Sequence, residues 1–533
     1  MKTFLIIAML LIACLGFRLF LALRLSSDEP YDGRVYARIA LNVLEHDSYS
    51  VEANEPYPPT YIRTPAYPMF LAGCYVLFGH ENNRAVRIVQ AVVDTITCLL
   101  IGLLALQWAP SAWPSERKRL ALSIATALAV ACPFVSIYVA TILTETLATF
   151  LVAACALSAT LALKSDKRRR QLVWWLVAGL LGGLATLVRP DSGLFVAAIG
   201  TTMVAIKARR LVAGRSNDSP TENKRATRLA PIMIAGIALT IGFCAALTPW
   251  AIRNYKVFGI FQPIAPTRAN GPNEFVPYGY IRWLKTWVDD GRYVEPFEWA
   301  LDERQIAFDR IPERVFDSPE EREQVAELFQ RYNGPPPVQP EVKNEPPEAD
   351  EDDDQGNNDD GGSEEEPAEE EEEPAVAQPA GMTPELDAEF DRVARERISR
   401  SPMRYYLIVP AKRLLSMWFD THSQYYPFEG SLFPIDSLNR EVHQQYWLPV
   451  FAGLTWLYTL LGAAGAVVML VNCECRRWLL LLTLLIAPRL IFLSTLENPE
   501  PRYVVELFAF VAAAAGIAVA ALIGKRWLDK PLV

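Results

Sequence analysis

The chain lacks a cysteine framework. Its eight cysteines in 533 residues keep no spacing that would pair them, and several (Cys14, Cys98, Cys155, Cys244) lie inside apolar stretches. Cys473 and Cys475 are without the further cysteine or histidine that a zinc site needs, so all eight read as small hydrophobic side chains or idle thiols. A basic domain is also missing. Lys and Arg occur in small clusters between apolar runs, which argues against a nucleic-acid binder. No internal repeat is evident. Over most of the length acid is scarce too: residues 341–373 hold 18 Asp and Glu against Lys343, leaving 50 basic and 43 acidic residues elsewhere. The overall charge of −10 therefore averages a body of +7 with one short acidic insert.

What is abundant is apolar sequence. Hydrophobic residues make up 51% of the chain, and their uninterrupted runs exclude a soluble globular enzyme. Apolar segments at 3–23, 88–107, 120–139, 143–163, 172–188, 193–206, 229–250, 447–471, 478–494 and 504–523 predict an all-α polytopic membrane protein. About ten transmembrane helices are expected, within a range of 10–12. The fifth, sixth and ninth segments are short for a full span of about 20 residues. Near the N-terminus, Leu11-Ile12-Ala13-Cys14 has the look of a lipoprotein cleavage box, but the apolar run continues to Leu23, which predicts an uncleaved first helix.

Orientation follows from the bases in short loops. One alternate set of loops holds 21 Lys and Arg, at Lys2, 117–119, 164–170, 207–228, 476–477 and 525–530, whereas the opposite short loops hold only Arg189 and Arg502. Both termini are thus expected in the cytoplasm of a multi-pass inner or plasma membrane protein. Three regions follow: an N-terminal transmembrane module 1–250 with a first outer loop 24–87, an extracytoplasmic region 251–446, and C-terminal helices 447–533. Within the middle region, 251–333 is rich in aromatics (Trp283, Trp287, Phe297, Trp299) and predicts a folded part at the membrane surface. Residues 334–381, dense in Pro, Gly, Asp and Glu, cannot bury enough apolar area to offset their ordering entropy and predict disorder. Helix resumes at Thr383, an N-cap followed by Leu386, Phe390, Val393 and Ile398 at helical spacing.

Charged groups beside membrane helices are costly and so become candidates for function. Asp28, Glu29 and Asp32 follow the first helix within about ten residues, and a partly desolvated carboxylate there suits a general base. Glu145 stands at the outer end of the fourth segment, where a partner such as Thr144 or Thr141 would satisfy it structurally. Arg63, Arg189, Arg489 and Arg502 fall on the outer face, and the forked donors of arginine suit a phosphate, although snorkelling to ordinary phospholipid accounts for any single one. Asp94 reads as a packing partner for Arg18 or Arg87.

Several blocks then carry a resemblance: Asp32 with Tyr36 and Ala37, TYIRTPAYPMFLA, LTETLA, TPWAIRNYKVFG and ENPEPRYVVE. In order and placement the chain resembles the polytopic glycosyltransferases of the C superfamily (GT-C), in the branch of protein O-mannosyltransferases and aminoarabinose-lipid A transferases. The resemblance implies transfer of a sugar, usually with inversion, from a polyprenyl-phosphate donor on the outer leaflet to a glycan, lipid or protein acceptor. It implies Asp32 and Glu145 as the acidic site residues, with Asp28 and Glu29 as secondary candidates. It implies Arg63 and the Arg502–Tyr503 pair on the donor phosphate, beside Arg489 and Arg189 from the arginine set. One departure is Gly33, where relatives often carry a second acid. No cofactor is firmly implied, no metal ligand set stands out, and a divalent cation stays open. A lipid-glycan transporter or flippase is the alternative, though such folds show repeats and polar groups at mid-membrane, which this chain lacks.

Overall fold

All ten apolar segments are helical in the computed structural model, and the departures occur where proline or polar flanks intervene. The structure describes residues 2–25, 29–213, 222–266, 268, 270–271, 274–334, 379–420 and 442–527. Its helices are α1 (Lys2–Arg24), α2 (Tyr31–Glu45), α3 (Ala66–Phe78), α4 (Asn83–Trp108), α5 (Ser115–Ala131), α6 (Pro133–Ser136), α7 (Glu145–Lys164), α8 (Arg168–Val188), α9 (Gly193–Ala213), α10 (Glu222–Phe258), α11 (Tyr278–Lys285), α12 (Pro319–Asn333), α13 (Pro384–Arg400), α14 (Val409–Phe419), α15 (Val442–Val471), α16 (Arg476–Ser494) and α17 (Leu507–Trp527). No strand occurs among the described residues.

Eight helices are long and apolar enough to cross a membrane: α1, α4, α7, α8, α9, α10, α15 and α16. The segments that looked short are full length, because charged flanks such as 168–170 and 476–477 extend α8 and α16 beyond their apolar centres. The third segment differs from expectation. Pro133 lacks the N–H that would continue α5, and the chain bends by 53° there. Residues 137–140 then form a 3-10 turn, and a short connection delivers Glu145 to the start of α7. The tenth segment also differs: residues 501–504 form a separate turn, and the apolar part of α17 runs over 507–523. The chain is an all-α polytopic membrane protein.

Two compact units emerge, one made of 1–276, 288–291 and 406–533, the other of 277–287 and 292–405. In the first, α7 is the most enclosed span and α1 the least. Small residues let backbones meet: a Cβ on Gly179 of α8 would strike the carbonyl of Leu239 in α10, and one on Gly242 of α10 would strike that of Leu176. Arg18 of α1 donates Nε–H to Asp94 Oδ2 of α4 at 2.6 Å, the packing role expected for that aspartate, with both side chains buried.

The second unit has its own aromatic core of Tyr280, Trp283, Phe329 and Phe390. Thr383 Oγ1 accepts the Leu386 N–H as the N-cap of α13, whose Leu386, Phe390 and Val393 are buried. After α12 the chain turns at Gly334 with φ of +72°, and the Ala380 N–H donates to the Tyr332 carbonyl at 2.9 Å. Most of the expected disordered insert lies between these points, at 335–378, outside the described residues.

Candidate active site

The site is assembled where α1, α7, α8 and α17 begin or end on one side of the helical unit. Asp32 lies in the first turn of α2, after Pro30, where a carboxylate suits the positive helix end. Two arginines share it: Arg63 Nη2 reaches Oδ1 at 3.1 Å and Arg502 Nη1 reaches Oδ2 at 3.3 Å. The Asp32 side chain remains 25% exposed, so it faces open space as well as its partners.

Arg63 is held by its loop. Tyr49 Oη donates to the Arg63 carbonyl at 3.2 Å, and Thr60 N–H donates to the Tyr49 carbonyl at 2.8 Å. Arg253, at the end of α10, donates to the Thr60 carbonyl at 2.6 Å and lies over the rings of Tyr49, Trp250 and Phe258. The TYIRTP and TPWAIRNY blocks are thus two halves of one clasp.

Glu145 is the first residue of α7 and is buried. It accepts from Arg189 Nη1 at 2.9 Å and from Thr144 Oγ1 at 3.4 Å, so the expected threonine partner is present beside a stronger ionic one. Arg189 caps α8 and packs on the Tyr503 ring, which also carries Arg502, each guanidinium 5.3 Å from the ring centre. Tyr36, one helical turn beyond Asp32, stands within electrostatic reach of Asp32, Arg63, Glu145 and Arg502. Burial pushes its hydroxyl up to about 12, with Asp32 adding to the effect. Through Tyr36 and Tyr503 the two carboxylate–arginine groups form one polar patch.

Behind it lies a layer in which Arg189 and Arg489 meet two acids, Asp191 and Glu506, that the sequence pattern did not single out. Arg189 Nε stands 3.4 Å from Glu506 and 3.7 Å from Asp191; Arg489 stands 2.7 Å from Asp191 and pairs with Glu506. Arg489 and Glu506 are fully buried. Glu506 was legible as the last residue of ENPEPRYVVE and Asp191 as the acid of RPDS. Both adjoin apolar segments, the signal that flags costly charge.

Of the secondary acids, Asp28 lies outside the described residues. Glu29 accepts the Ile142 N–H at 3.1 Å and lies 3.7 Å from Arg87; burial raises its carboxyl above the usual range against those two influences. Gly33 explains the missing second acid, because a Cβ there would sit 2.7 Å from the Ile142 carbonyl. Among the described residues one group of three metal-ligating side chains comes together, Cys14, Asp94 and Cys98 between α1 and α4, with Arg18 on the aspartate.

Residues 62–216 match the family model described as dolichyl-phosphate-mannose-protein mannosyltransferase. The matched segment is under a third of the chain. It contains Arg63, Glu145 and Arg189 and begins after Asp32. Similar solved structures include the oligosaccharyltransferase AglB of Archaeoglobus fulgidus in complex with an inhibitory peptide and a dolichol-phosphate, at 11% identity and a TM-score of 0.46 over 98% of this chain. The chain spans 51% of that one. Another is ArnT of Cupriavidus metallidurans bound to undecaprenyl phosphate, at 12% identity and a TM-score of 0.37 over 97% of this chain and 78% of that one. No curated protein matches the chain.

Proposed function

We propose that the chain is a membrane glycosyltransferase that moves a sugar from a polyprenyl-phosphate donor to an acceptor at the outer face of the membrane, with inversion. The observation that carries this reading is Asp32 held between Arg63 and Arg502, at 3.1 and 3.3 Å, in front of the Glu145–Arg189 pair.

The donor's phosphate competes with Asp32 for the two guanidiniums. Its arrival neutralises the leaving group and frees Asp32 in one exchange. Asp32 then takes the proton of the acceptor hydroxyl as the acceptor oxygen bonds to the anomeric carbon, and the polyprenyl phosphate departs with the electron pair of the broken bond. Glu145, enclosed and charge-paired, orients the acceptor. Arg189 and Arg489 are engaged with Asp191 and Glu506 behind the site, whereas Arg63 and Arg502, the latter also 3.6 Å from Glu500, converge on the part-exposed Asp32, so the phosphate contacts fall to Arg63, Arg502 and the Tyr503 edge.

The test is transfer from labelled polyprenyl-phosphate sugars by purified protein in liposomes. Asp32→Asn is expected to lower turnover by about 10²- to 10⁴-fold, with Glu145→Gln also impaired, in variants that insert normally. Full activity in both sinks the residue roles. Movement of the labelled lipid across the bilayer without transfer sinks the reaction class.

A further inference from the structure

Five buried or nearly buried charges stand in one chain of contacts: Glu145, Arg189, Asp191, Arg489 and Glu506. Three are acids and two are bases, so the group cannot pair off evenly. Arg489 is engaged with Asp191 and Glu506 from α16. Arg189 is left to serve Glu145 at 2.9 Å, Glu506 at 3.4 Å and Asp191 at 3.7 Å. The other charged and titratable groups facing this cluster are Tyr503 against Arg189, and Tyr36 of α2 and Tyr67 of α3 toward Glu145. A guanidinium divided among three carboxylates neutralises none of them fully, and in a water-poor setting that remainder is felt at short range.

We propose that Glu506 is a positioning residue that, together with Asp191, draws Arg189 away from exclusive pairing with Glu145 and so keeps the Glu145 carboxylate available to an acceptor hydroxyl. Glu506 does not touch the open face of the site; it acts through Arg189. Removing its charge leaves Arg489 to satisfy Asp191 at 2.7 Å and hands Arg189 to Glu145. A carboxylate fully engaged by an arginine is a poorer hydrogen-bond acceptor for a substrate and a poorer target for reagents that attack the protonated acid. The consequence for turnover rests on the glycosyltransferase reading; the consequence for Glu145 itself does not.

The experiment therefore reads Glu145 directly. Membranes holding wild type, Glu506→Gln, Glu506→Asp and Asp191→Asn are treated with dicyclohexylcarbodiimide, and the modification of Glu145 is followed by peptide mass spectrometry. Glu506→Gln is expected to slow labelling of Glu145 by about three- to tenfold, while Glu506→Asp, which keeps the charge, restores the wild-type rate. Asp191→Asn removes the other competitor for Arg189 and decides the matter if Glu506→Gln fails to fold. In the transfer assay, Glu506→Gln lowers kcat about tenfold and changes the donor KM less than about twofold. Labelling at the wild-type rate in the folded charge-removing variants overturns the proposal whatever their turnover. Wild-type protein without transfer activity overturns the functional reading and leaves the labelling result to decide this one.

Discussion

At Gly33 the lack of a side chain sets how closely two distant connections approach. The first turn of α2 and the link before α7 meet there, with the Ile142 carbonyl where a Cβ would be, and Glu29 takes the N–H of the same Ile142. Gly33→Ala is expected to destabilise the protein by about 1–3 kcal/mol and to lower transfer, because Asp32 and Glu145 are brought together across this contact. Thermal unfolding in detergent beside a turnover assay checks both. Glu29 supplies a pH test. Its carboxyl is raised above 4.5 chiefly by burial, so its contribution to stability is complete below that value and is lost as pH climbs through the raised one. Glu29→Gln keeps an acceptor for Ile142 and removes the titration; unfolding temperature at pH 7–8 is expected to hold or rise, with a flatter profile from pH 4.5 upward. A fall at neutral pH would show that the charge on Glu29 is needed. At this scale the sequence named Asp32, Glu145, Arg63 and Arg502 but passed over Asp191 and Glu506. A charge's job depends on its partner, and Arg502 and Asp32 are 470 positions apart.

Elements were legible to the extent that hydropathy alone defines them. Centres of all ten segments are helical, while their ends moved, because polar residues continue a helix as readily as apolar ones once the core is packed. The bend at Pro133 was visible as a proline within an apolar run, yet only the fold shows that it turns the chain toward Glu145. The clasp between the end of α10 and the 49–64 loop belongs here too. Arg253 touches neither acid of the site; it fixes the Thr60 carbonyl and stacks against three rings. Arg253→Ala is expected to lower kcat/KM about tenfold by loosening Arg63, a loss of about 1.4 kcal/mol, with the protein still folded. An unchanged rate would mean that the loop holds Arg63 without the clasp.

For the whole molecule, the charge pattern in the sequence corresponds to two ends of one bundle. Asp32, Glu145, Arg189 and Arg502 gather at one end, while Lys164 lies within electrostatic reach of Lys118 and Arg477, and Arg117 donates to the Ala521 carbonyl at 2.6 Å. The acidic stretch, by contrast, dominates the net charge and lies outside the described residues. Deleting residues 346–374 is expected to leave transfer within about twofold of wild type and the unfolding temperature unmoved, since loop length enters stability only logarithmically. A collapse of turnover in well-expressed protein would give the stretch a role of its own. The hydrogen bond from Ala380 to Tyr332 has one more consequence. Departure and return of the chain are fastened to each other, as in a natural domain insertion, so the sequence between them is exchangeable. A fluorescent protein grafted at this port, with its own ends close together, would report on the protein in living cells while leaving the helices and their side chains as they are.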